Sequence, residues 1–322
     1  MNKIVILTSG GDAPGMNAAL RAAVRMAISK GLTVYASFRG FQGLVDEKLS
    51  KLDTTSVANI IQTGGTILKT DRCKAFYDPE VRKKCIRFLK EQGIDGLVVI
   101  GGDGSFRGAT LLNQEGGPAV IGIPATIDND IIGTDYTIGY DTARNTAISA
   151  IDKIRDTASS HNRHFIVEVM GKNSGFLAID VGIAGGAEFI LIPEVPFTIE
   201  EVATRIIESK RKKLSSIIVA AEKDKPGHTF DVASELNKIT NRNYRVCILG
   251  HTQRGGSPSA QDRKIASLMG AKAVELLAEN ETNKMVSIVS DKLTFTEFPN
   301  PDDSARKFYD KSLLDLNGVI CQ

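Results

Sequence analysis

Two carboxylates follow an apolar run near the middle of the chain. Asp128 and Asp130 are one residue apart and come shortly after AVIGIP at 119–124. Like charges this close raise each other's pKa and reduce stability unless a cation or a substrate compensates them. One carboxylate of such a pair can take a proton from a hydroxyl while the other supports it or binds a metal ion. The alternative is a capped helix with surface acids, and the pattern favours a catalytic site over it.

A third carboxylate lies inside a glycine-rich turn. Asp103 stands in Gly101-Gly102-Asp103-Gly104-Ser105, directly after the apolar run 97–100. Mg²⁺ prefers one or two carboxylates together with waters and phosphate oxygens, so Asp103 is a candidate metal ligand. Gly108, one helical turn further on, would let a base or a ribose approach closely. The segment therefore predicts a site for a nucleotide and its metal ion.

A second glycine-rich turn follows the first apolar run of the chain. It reads Gly10-Gly11-Asp12-Ala13-Pro14-Gly15 and opens a predicted helix at Met16. Backbone N–H groups in such a turn, and the helix dipole behind it, favour a bound phosphate. The turn matches neither the dinucleotide fingerprint nor the Walker A pattern. A tight turn without a ligand is the alternative, but two such turns in one chain favour phosphate binding.

Short apolar runs alternate along the chain with longer segments of helical periodicity. The predicted strands are 4–7, 32–35, 96–100, 119–123, 165–169, 189–192, 217–221, 246–249 and 285–289. The predicted helices include 16–29, 80–92, 142–157, 199–212 and 260–277, with a final helix ending near Leu314. Runs that are apolar throughout are typical of parallel strands covered on both faces. We expect an α/β protein with mostly parallel sheets in two lobes, and ligands beyond the carboxyl ends of its strands.

Length and composition narrow the class of protein. The 322 residues suit one large or two ordinary domains, and 42% of them are hydrophobic. Because 40 basic residues nearly balance 38 acidic ones, a general nucleic-acid binder is disfavoured. No run of about 18 apolar residues occurs, and the N-terminal apolar run predicts a strand instead of a signal peptide. We therefore expect a cytoplasmic protein with no membrane or nucleic-acid partner.

Five segments, taken in order, resemble one enzyme family. They are GGDAPGMN, GGDGS, TIDND, EVMGKNSG and GHTQRGGSP. Their order and spacing are similar to those of bacterial-type ATP-dependent 6-phosphofructokinases, from residue 1 to about residue 290. GGDGS alone is also similar to NAD kinases and diacylglycerol kinases, whereas TIDND together with GHTQRGG is far more specific.

The resemblance implies a fold, a reaction and an assembly. It implies two Rossmann-like three-layer α/β/α lobes with an active-site cleft between them. The ATP-binding lobe would take 1–138 plus 256–303, and the fructose 6-phosphate-binding lobe 139–255 plus 304–322. With Mg²⁺, the enzyme would phosphorylate the 1-hydroxyl of fructose 6-phosphate with ATP, the committed step of glycolysis. A homotetramer with active sites shared between subunits is expected.

The resemblance also implies roles for individual residues. Asp128 would be the base, Arg72 would stabilise charge on the moving phosphoryl group, and Thr126 would contact that group. Lys172 would complete the catalytic set, and Asp103 would bind Mg²⁺. The ATP-binding set would be Gly11, Arg72, Cys73, Gly102, Asp103, Gly104, Ser105 and Gly108. The substrate-binding set would be Thr126, Ile127, Asp128, Asp130, Arg163, Met170, Gly171, Lys172, Glu222, Arg245, His251 and Arg254.

Parts of the implied sites involve neighbouring subunits. Arg163 and Arg245 would reach the substrate from a neighbour, while His251 and Arg254 of the same chain would bind the 6-phosphate. A regulatory site for ADP or phosphoenolpyruvate is also implied. Its residues would be Arg21, Arg25, Arg155, Gly186, Glu188, Lys212 and Lys213. Thr54 stands where the family often has an arginine that supports the effector phosphates.

Two alternatives to this function stay open at the sequence level. The first is a pyrophosphate-dependent phosphofructokinase, whose members carry Lys at position 125 and Asp at position 104; this chain has Ala125 and Gly104, which favours ATP. The second is a non-catalytic sensor of nucleotide and sugar phosphate. Its support is Lys172 in place of a usual arginine and Asp71, which could pair with Arg72.

Overall fold

The structure is a computed structural model that describes residues 1–208, 215–223, 226–298, 307 and 309–321. It divides into two compact units. Unit 1 comprises Met1–Thr126, Ile131–Thr142 and Arg254–Lys307, and unit 2 comprises Ile127–Asp130, Ala143–Gln253 and Phe308–Gln322. The assignment of ATP to one lobe and of sugar phosphate to the other stays a prediction.

Strands and helices alternate through most of the chain. The strands are β1 Lys3–Ser9, β2 Thr33–Ser37, β3 Ser50–Leu52, β4 Gly96–Gly101, β5 Ala119–Pro124, β6 His164–Val169, β7 Phe189–Leu191, β8 Ser216–Ala221, β9 Tyr244–Ile248, β10 Lys284–Val289 and β11 Lys292–Glu297. The helices are α1 Met16–Ser29, α2 Phe41–Val45, α3 Pro79–Glu91, α4 Asp103–Gln114, α5 Tyr140–His161, α6 Phe176–Ala184, α7 Ile199–Glu208, α8 Thr229–Thr240, α9 Ala260–Ala278 and α10 Lys311–Ile320.

The sheet of unit 1 has the order β11-β10-β5-β4-β1-β2-β3. Its central strands β5, β4 and β1 run parallel, and the edge strands β11 and β3 are antiparallel to their neighbours. Side chains of Ile4, Leu7, Val98 and Ile121 are fully buried, as expected for strands covered on both faces. Because these strands are parallel, the loops after β1, β4 and β5 leave from the same edge.

The helices of unit 1 are held to one another by close packing and by a buried carboxylate. A β-carbon on Gly270 of α9 would clash with the carbonyl oxygen of Ala19, so only glycine lets α9 approach α1 this closely. Asp262 near the start of α9 is fully buried and accepts hydrogen bonds from the N–H groups of Gly139 and Thr142 at 2.9 and 2.8 Å. It thereby caps the first turn of α5. Burial raises the pKa of Asp262, and the hydrogen bonds from Thr142 and Gly139 oppose that shift.

The sheet of unit 2 is smaller and entirely parallel, in the order β7-β8-β6-β9. Its core packs Ile166 and Ile218 of the sheet against Leu236 of α8 and Ile206 of α7. Glu168 of β6 is 1% exposed, and its carboxylate accepts hydrogen bonds from Gly227 N–H at 2.8 Å and Thr229 Oγ1 at 2.6 Å. This buried carboxylate fixes the start of α8 to the centre of the sheet.

The α/β fold with mostly parallel sheets, predicted from the sequence, is confirmed. The last helix was placed wrongly, because α10 continues to Ile320 instead of ending near Leu314. Strands β3 and β11 were missed: both lie at sheet edges and carry polar residues that hide the strand pattern.

Candidate active site

The turn after β1 lies next to the turn after β4. Ser9 pairs with Gly101 in the parallel ladder, and both strands end there. Ser105 of α4 is 5% exposed, and its Oγ would lie 3.5 Å from a β-carbon on Gly10. Gly10 has φ 88°, a left-handed backbone conformation that glycine adopts at little cost. The two glycine-rich turns predicted to bind phosphate therefore meet at one edge of the unit 1 sheet.

The segment that carries Arg72 is tied to the same edge. Thr8 Oγ1 donates to the Lys69 carbonyl at 2.9 Å, and Thr70 Oγ1 donates to the Gly10 carbonyl at 2.6 Å. Arg72 follows with an exposed side chain. The Asp71 carboxylate accepts a hydrogen bond from the backbone N–H of Arg72 at 2.8 Å, so this contact does not engage the Arg72 guanidinium.

The first turns of α4 present a charged pair and two glycines. Asp103 begins the helix, and its Oδ2 accepts a hydrogen bond from Arg107 Nε at 2.8 Å. The two side chains are 39% and 38% exposed. A β-carbon on Gly104 would have open space around it. The predicted metal ligand is thus accessible to solvent, and Gly104 leaves room beside it.

Two aromatic rings lie next to Gly108. Phe41 and Phe76 stack with their centroids 4.3 Å apart, and both are 5% exposed. A β-carbon on Gly108 would be 3.5 Å from Phe41 and 3.6 Å from Phe76. Cys73, predicted to contact ATP, is half-buried and packs against the same cluster. Burial raises the pKa of the Cys73 thiol.

Thr126 lies beside the turn that holds Asp103. A β-carbon on Gly102 would be 3.9 Å from Thr126 Cβ, and the Ala125 N–H donates to the Gly101 carbonyl at 2.9 Å. Thr137 Oγ1 donates to the Thr126 carbonyl at 2.7 Å and fixes this turn from the other side. The segments after β1, β4 and β5 thus come together within unit 1, as the sequence predicted.

Asp128 and its neighbours belong to unit 2 and are well packed. Asp128 is 7% exposed, Ile127 1% and Asn129 4%, whereas Asp130 is half-buried. Asn129 has φ 50°, a left-handed conformation that reverses the chain between the two carboxylates. Ser174 Oγ donates to the Asp128 carbonyl at 3.1 Å. The backbone of the predicted base is therefore held by the EVMGKNSG segment.

Residues predicted to line the sugar meet at the carboxyl edge of the unit 2 sheet. The Glu222 N–H donates to the Val169 carbonyl at 2.8 Å, and the Lys172 N–H donates to Glu222 Oε1 at 3.3 Å. Lys172 has φ 57°, and its side chain is exposed. The Met170 N–H donates to Gln253 Oε1 at 2.8 Å, and Gln253 is fully buried. The turns after β6 and β8 are thus joined, with Gly171 between Met170 and Lys172.

His251 and Arg254, predicted to share one phosphate, fall into different units. Both lie in the short 3-10 helix Gly250–Arg254, and His251 is exposed in unit 2. Arg254 belongs to unit 1, where its guanidinium contacts Gly11 and its Nη1 donates to the Asp12 carbonyl at 3.5 Å. Within unit 1, Arg254 therefore lies against the glycine turn after β1.

Arg163 and Arg245 lie at the other end of the unit 2 sheet. Arg163 immediately precedes β6, and Arg245 pairs with Phe165 near the start of that strand. Met170 follows the far end of β6, and a strand of this length spans about 20 Å. The backbones of the two arginines therefore lie at the opposite end of the strand from Met170 of their own chain.

The predicted effector residues are brought together in part. Arg155 Nη2 donates to the carbonyls of Gly185 and Gly186 at 2.6 and 2.8 Å, and its Nη1 is 4.0 Å from Glu188 Oε1. These residues form one cluster in unit 2. Arg21 and Arg25 lie one turn apart on α1 of unit 1. Lys212 and Lys213 lie outside the described residues.

Sequence analysis did not single out Arg107, Ser174 or Gln253. Ser174 and Gln253 stand inside two of the recognised motifs, but their contacts are with the backbone, which a motif does not reveal. Arg107 could have been found from the sequence. It follows Asp103 by four positions on a predicted helix, and oppositely charged residues at this spacing lie on the same helix face.

Two further features are absent from the described part of the chain. None of its helices combines the length and the hydropathy that a membrane span needs. Within the same residues, no three or more His, Cys, Asp or Glu side chains are grouped as metal ligands.

Comparison with known proteins identifies the family. The family model described as phosphofructokinase matches residues 3–277. The ATP-dependent 6-phosphofructokinase of Coxiella burnetii is 54% identical over 321 residues, which cover 100% of this chain and 98% of that protein. ATP-dependent 6-phosphofructokinase 1 of Clostridium perfringens is 51% identical, with 99% of each chain covered.

Solved structures agree with this match. The T-state phosphofructokinase of Pichia pastoris superposes with a TM-score of 0.86 at 36% identity. The match covers 92% of this chain and 35% of that much longer one. The pyrophosphate-dependent phosphofructokinase of Marinobacter aquaeolei gives a TM-score of 0.85 at 24% identity and supports the fold alone. The resemblance drawn from the sequence motifs is confirmed, and the chain belongs to the phosphofructokinase family.

Proposed function

We propose that this protein transfers the γ-phosphoryl group of ATP to the 1-hydroxyl of fructose 6-phosphate in the cytoplasm. The products are ADP and fructose 1,6-bisphosphate, and the reaction is a step of glycolysis. The observation that carries the proposal is the position of Thr126 beside Gly102, with a separation of 3.9 Å from a β-carbon built on that glycine. The segment leading to Asp128 thus begins next to the turn that holds Asp103.

The nucleotide is bound by unit 1 in this proposal. Gly11 and Gly102 offer backbone N–H groups to the phosphates, Ser105 offers its hydroxyl, and Gly104 and Gly108 leave space for the nucleotide. Phe41 and Phe76 provide the apolar neighbour of the base, with Cys73 at the rim. The open space at Gly104 supports ATP as the donor, because the aspartate that pyrophosphate-dependent relatives carry at this position would fill it.

Mg²⁺ fits the donor set around Asp103. The carboxylate is 39% exposed, and Mg²⁺ typically takes one or two carboxylates, waters and phosphate oxygens. Asp103 would hold the ion, with Asp130 in support. The ion would neutralise charge on the phosphates, as metal ions do in phosphoryl transfer.

Asp128 is the base in this mechanism. Its carboxylate takes the proton of the 1-hydroxyl as that oxygen bonds to the γ-phosphorus and the bond to ADP breaks. Burial of the Asp128 side chain keeps it from competing water. Arg72 and Lys172 offset negative charge on the transferred group, and Thr126 donates a hydrogen bond to it. Catalysis then consists of positioning and charge neutralisation.

The sugar phosphate is bound mainly by unit 2. Met170, Gly171 and Glu222 line the sugar with Ile127 near the reacting end, and His251 with Arg254 binds the 6-phosphate. Arg163 and Arg245 act on the substrate of a neighbouring subunit. Their position at the amino edge of the sheet supports this assignment, since they lie about 20 Å from Met170 of their own chain. In this proposal the working enzyme is a homotetramer with shared sites.

The cluster around Arg155 is the core of an effector site for ADP or phosphoenolpyruvate. Arg155 and the Gly186 carbonyl that it binds supply polar groups next to Glu188. Arg21 and Arg25 would add positive charge, as would Lys212 and Lys213. An anionic effector suits this excess of cations.

A donor comparison tests the function. Purified protein is incubated with Mg·ATP, fructose 6-phosphate or both, and a parallel set replaces ATP with pyrophosphate. ADP and fructose 1,6-bisphosphate in equal amounts, only when ATP and the sugar phosphate are both present, are the expected result. Turnover with pyrophosphate alone would make the chain a pyrophosphate-dependent enzyme. Nucleotide binding without turnover would support the sensor instead.

A further inference from the structure

Arg107 is a cation placed directly on the carboxylate that the proposed function gives to Mg²⁺. Its Nε lies 2.8 Å from Asp103 Oδ2, one helical turn away on α4. The neighbouring positions on the same helix are Gly104 and Gly108, which carry no side chain. The guanidinium therefore lies on the part of α4 that faces the proposed nucleotide site.

The ion pair is readily exchanged. Both side chains are more than one-third exposed. An exposed ion pair of this kind changes an equilibrium constant by at most a factor of about five. Mg²⁺ brought in with a nucleotide would therefore compete with Arg107 for Asp103, and only an exposed ion pair would have to be given up.

We propose that Arg107 takes the place of Mg²⁺ at Asp103 whenever the metal ion is absent. It neutralises the carboxylate in the free protein, so that a polyphosphate can enter without meeting a bare negative charge. When Mg²⁺ arrives, Arg107 is released from the carboxylate, because the exposed ion pair holds it only weakly. The inference rests on the proposed function and adds a residue that links nucleotide binding to the metal ion.

The consequence is specific to metal-free nucleotide. In Arg107→Met, Asp103 faces the phosphates without a neutralising partner, and we expect metal-free ADP to bind roughly tenfold more weakly. Mg·ADP brings its own cation to Asp103, so its affinity is expected to fall by less than about threefold. The ratio of the two dissociation constants therefore increases in the variant.

The test is calorimetric titration of ADP into the assembled enzyme, once with EDTA and once with excess Mg²⁺. Arg107→Lys keeps the charge and should stay near the wild type. Arg87→Met, an exposed arginine on α3, is the matched control and should change neither constant. In an Asp103→Asn background, Arg107→Met should no longer weaken metal-free ADP binding, because no carboxylate is left to neutralise.

The outcomes separate this inference from the proposed function. A selective loss of metal-free binding that disappears with Asp103→Asn supports the role of Arg107. Equal losses with and without Mg²⁺, or no loss in either, overturn it. The product assay with wild-type enzyme is independent of these titrations, so ATP-dependent formation of fructose 1,6-bisphosphate would stand even if Arg107 had no such role.

Discussion

The guanidinium group of Arg254 occupies the space beside Gly11 that a side chain at position 11 would need. Its Nη1 also donates to the Asp12 carbonyl at 3.5 Å. The glycine turn after β1 and the segment before α9 are thereby fixed to each other within unit 1. The segment before α9 is held further by Asp262, whose carboxylate ties the start of α9 to Thr142.

Gly11→Ala is expected to displace Arg254 without unfolding the protein. The new methyl group clashes only with the end of a flexible side chain, so the free energy of unfolding should change by less than about 1 kcal/mol. We expect kcat/KM to fall at least about tenfold, since a small displacement in a phosphoryl-transfer site is costly. Steady-state kinetics and thermal unfolding measure the two effects.

Arg254→Met is the matched variant for Gly11→Ala. If both act through the same contact, the double variant should lose less than the sum of the single losses in activation free energy. Wild-type kcat/KM in Gly11→Ala would show that this contact has no part in catalysis.

Bound nucleotide is expected to protect Cys73 from alkylation. Cys73 is half-buried beside the aromatic pair of Phe41 and Phe76, and burial raises the pKa of its thiol. Because the thiolate is the reactive form, modification should need alkaline conditions. Saturating Mg·ADP should slow the modification of Cys73 at least about fivefold, because the bound nucleotide would cover the thiol.

Peptide mass spectrometry follows each cysteine separately. Cys85 is the internal control: burial raises its pKa to about 11, and it should stay unmodified with or without nucleotide. An unchanged rate at Cys73 would remove it from the nucleotide site.

The folded state should lose stability as the pH falls below about 6.5. Burial lowers the pKa of His164, and it lowers the pKa of His228 against the opposing effect of Glu168. The unfolded chain therefore binds protons at these positions in a pH range where the folded chain does not. By linkage, this stability is fully present above the unfolded pKa and declines as the pH drops towards the lowered folded pKa values.

Urea unfolding at pH 7.5 and 5.5 measures this dependence. We expect a lower free energy of unfolding at pH 5.5, with a contribution from each of the two histidines. His164→Gln should reduce the decrease, and His161→Gln at the exposed end of α5 serves as its control. A decrease that is the same in all three proteins would assign the pH dependence to other groups.

Mixed oligomers test the sharing of sites between subunits. Arg245→Ala and His251→Ala should each reduce activity strongly, because each removes a side chain proposed to bind the substrate. When the two are unfolded together and reassembled, some sites combine the intact Arg245 of one chain with the intact His251 of another. Activity should then recover to a clear fraction of wild type, whereas each variant reassembled alone should not recover. No recovery in the mixture would indicate that both residues act on the same chain's substrate.

The sequence was informative wherever buried parallel strands lead into polar turns. The runs before Gly10, Gly102 and Ala125 are apolar throughout, so both the strands and the shared edge of their turns could be predicted. The edge strand β11 and the end of α10 could not, because their apolar side chains are largely exposed and give no buried run. The hydrogen bond of Arg254 to the Asp12 carbonyl was also out of reach, since it joins residues 242 positions apart along the chain.

The central claim is that Asp128 removes the proton from fructose 6-phosphate during phosphoryl transfer from ATP. The most direct measurement is the single-turnover rate of fructose 1,6-bisphosphate formation by wild type and Asp128→Asn, at saturating Mg·ATP and sugar phosphate. The variant should bind both substrates almost normally but form product about 10²–10⁴ times more slowly, as expected for the loss of a general base. Product formation by Asp128→Asn at the wild-type rate would contradict the account.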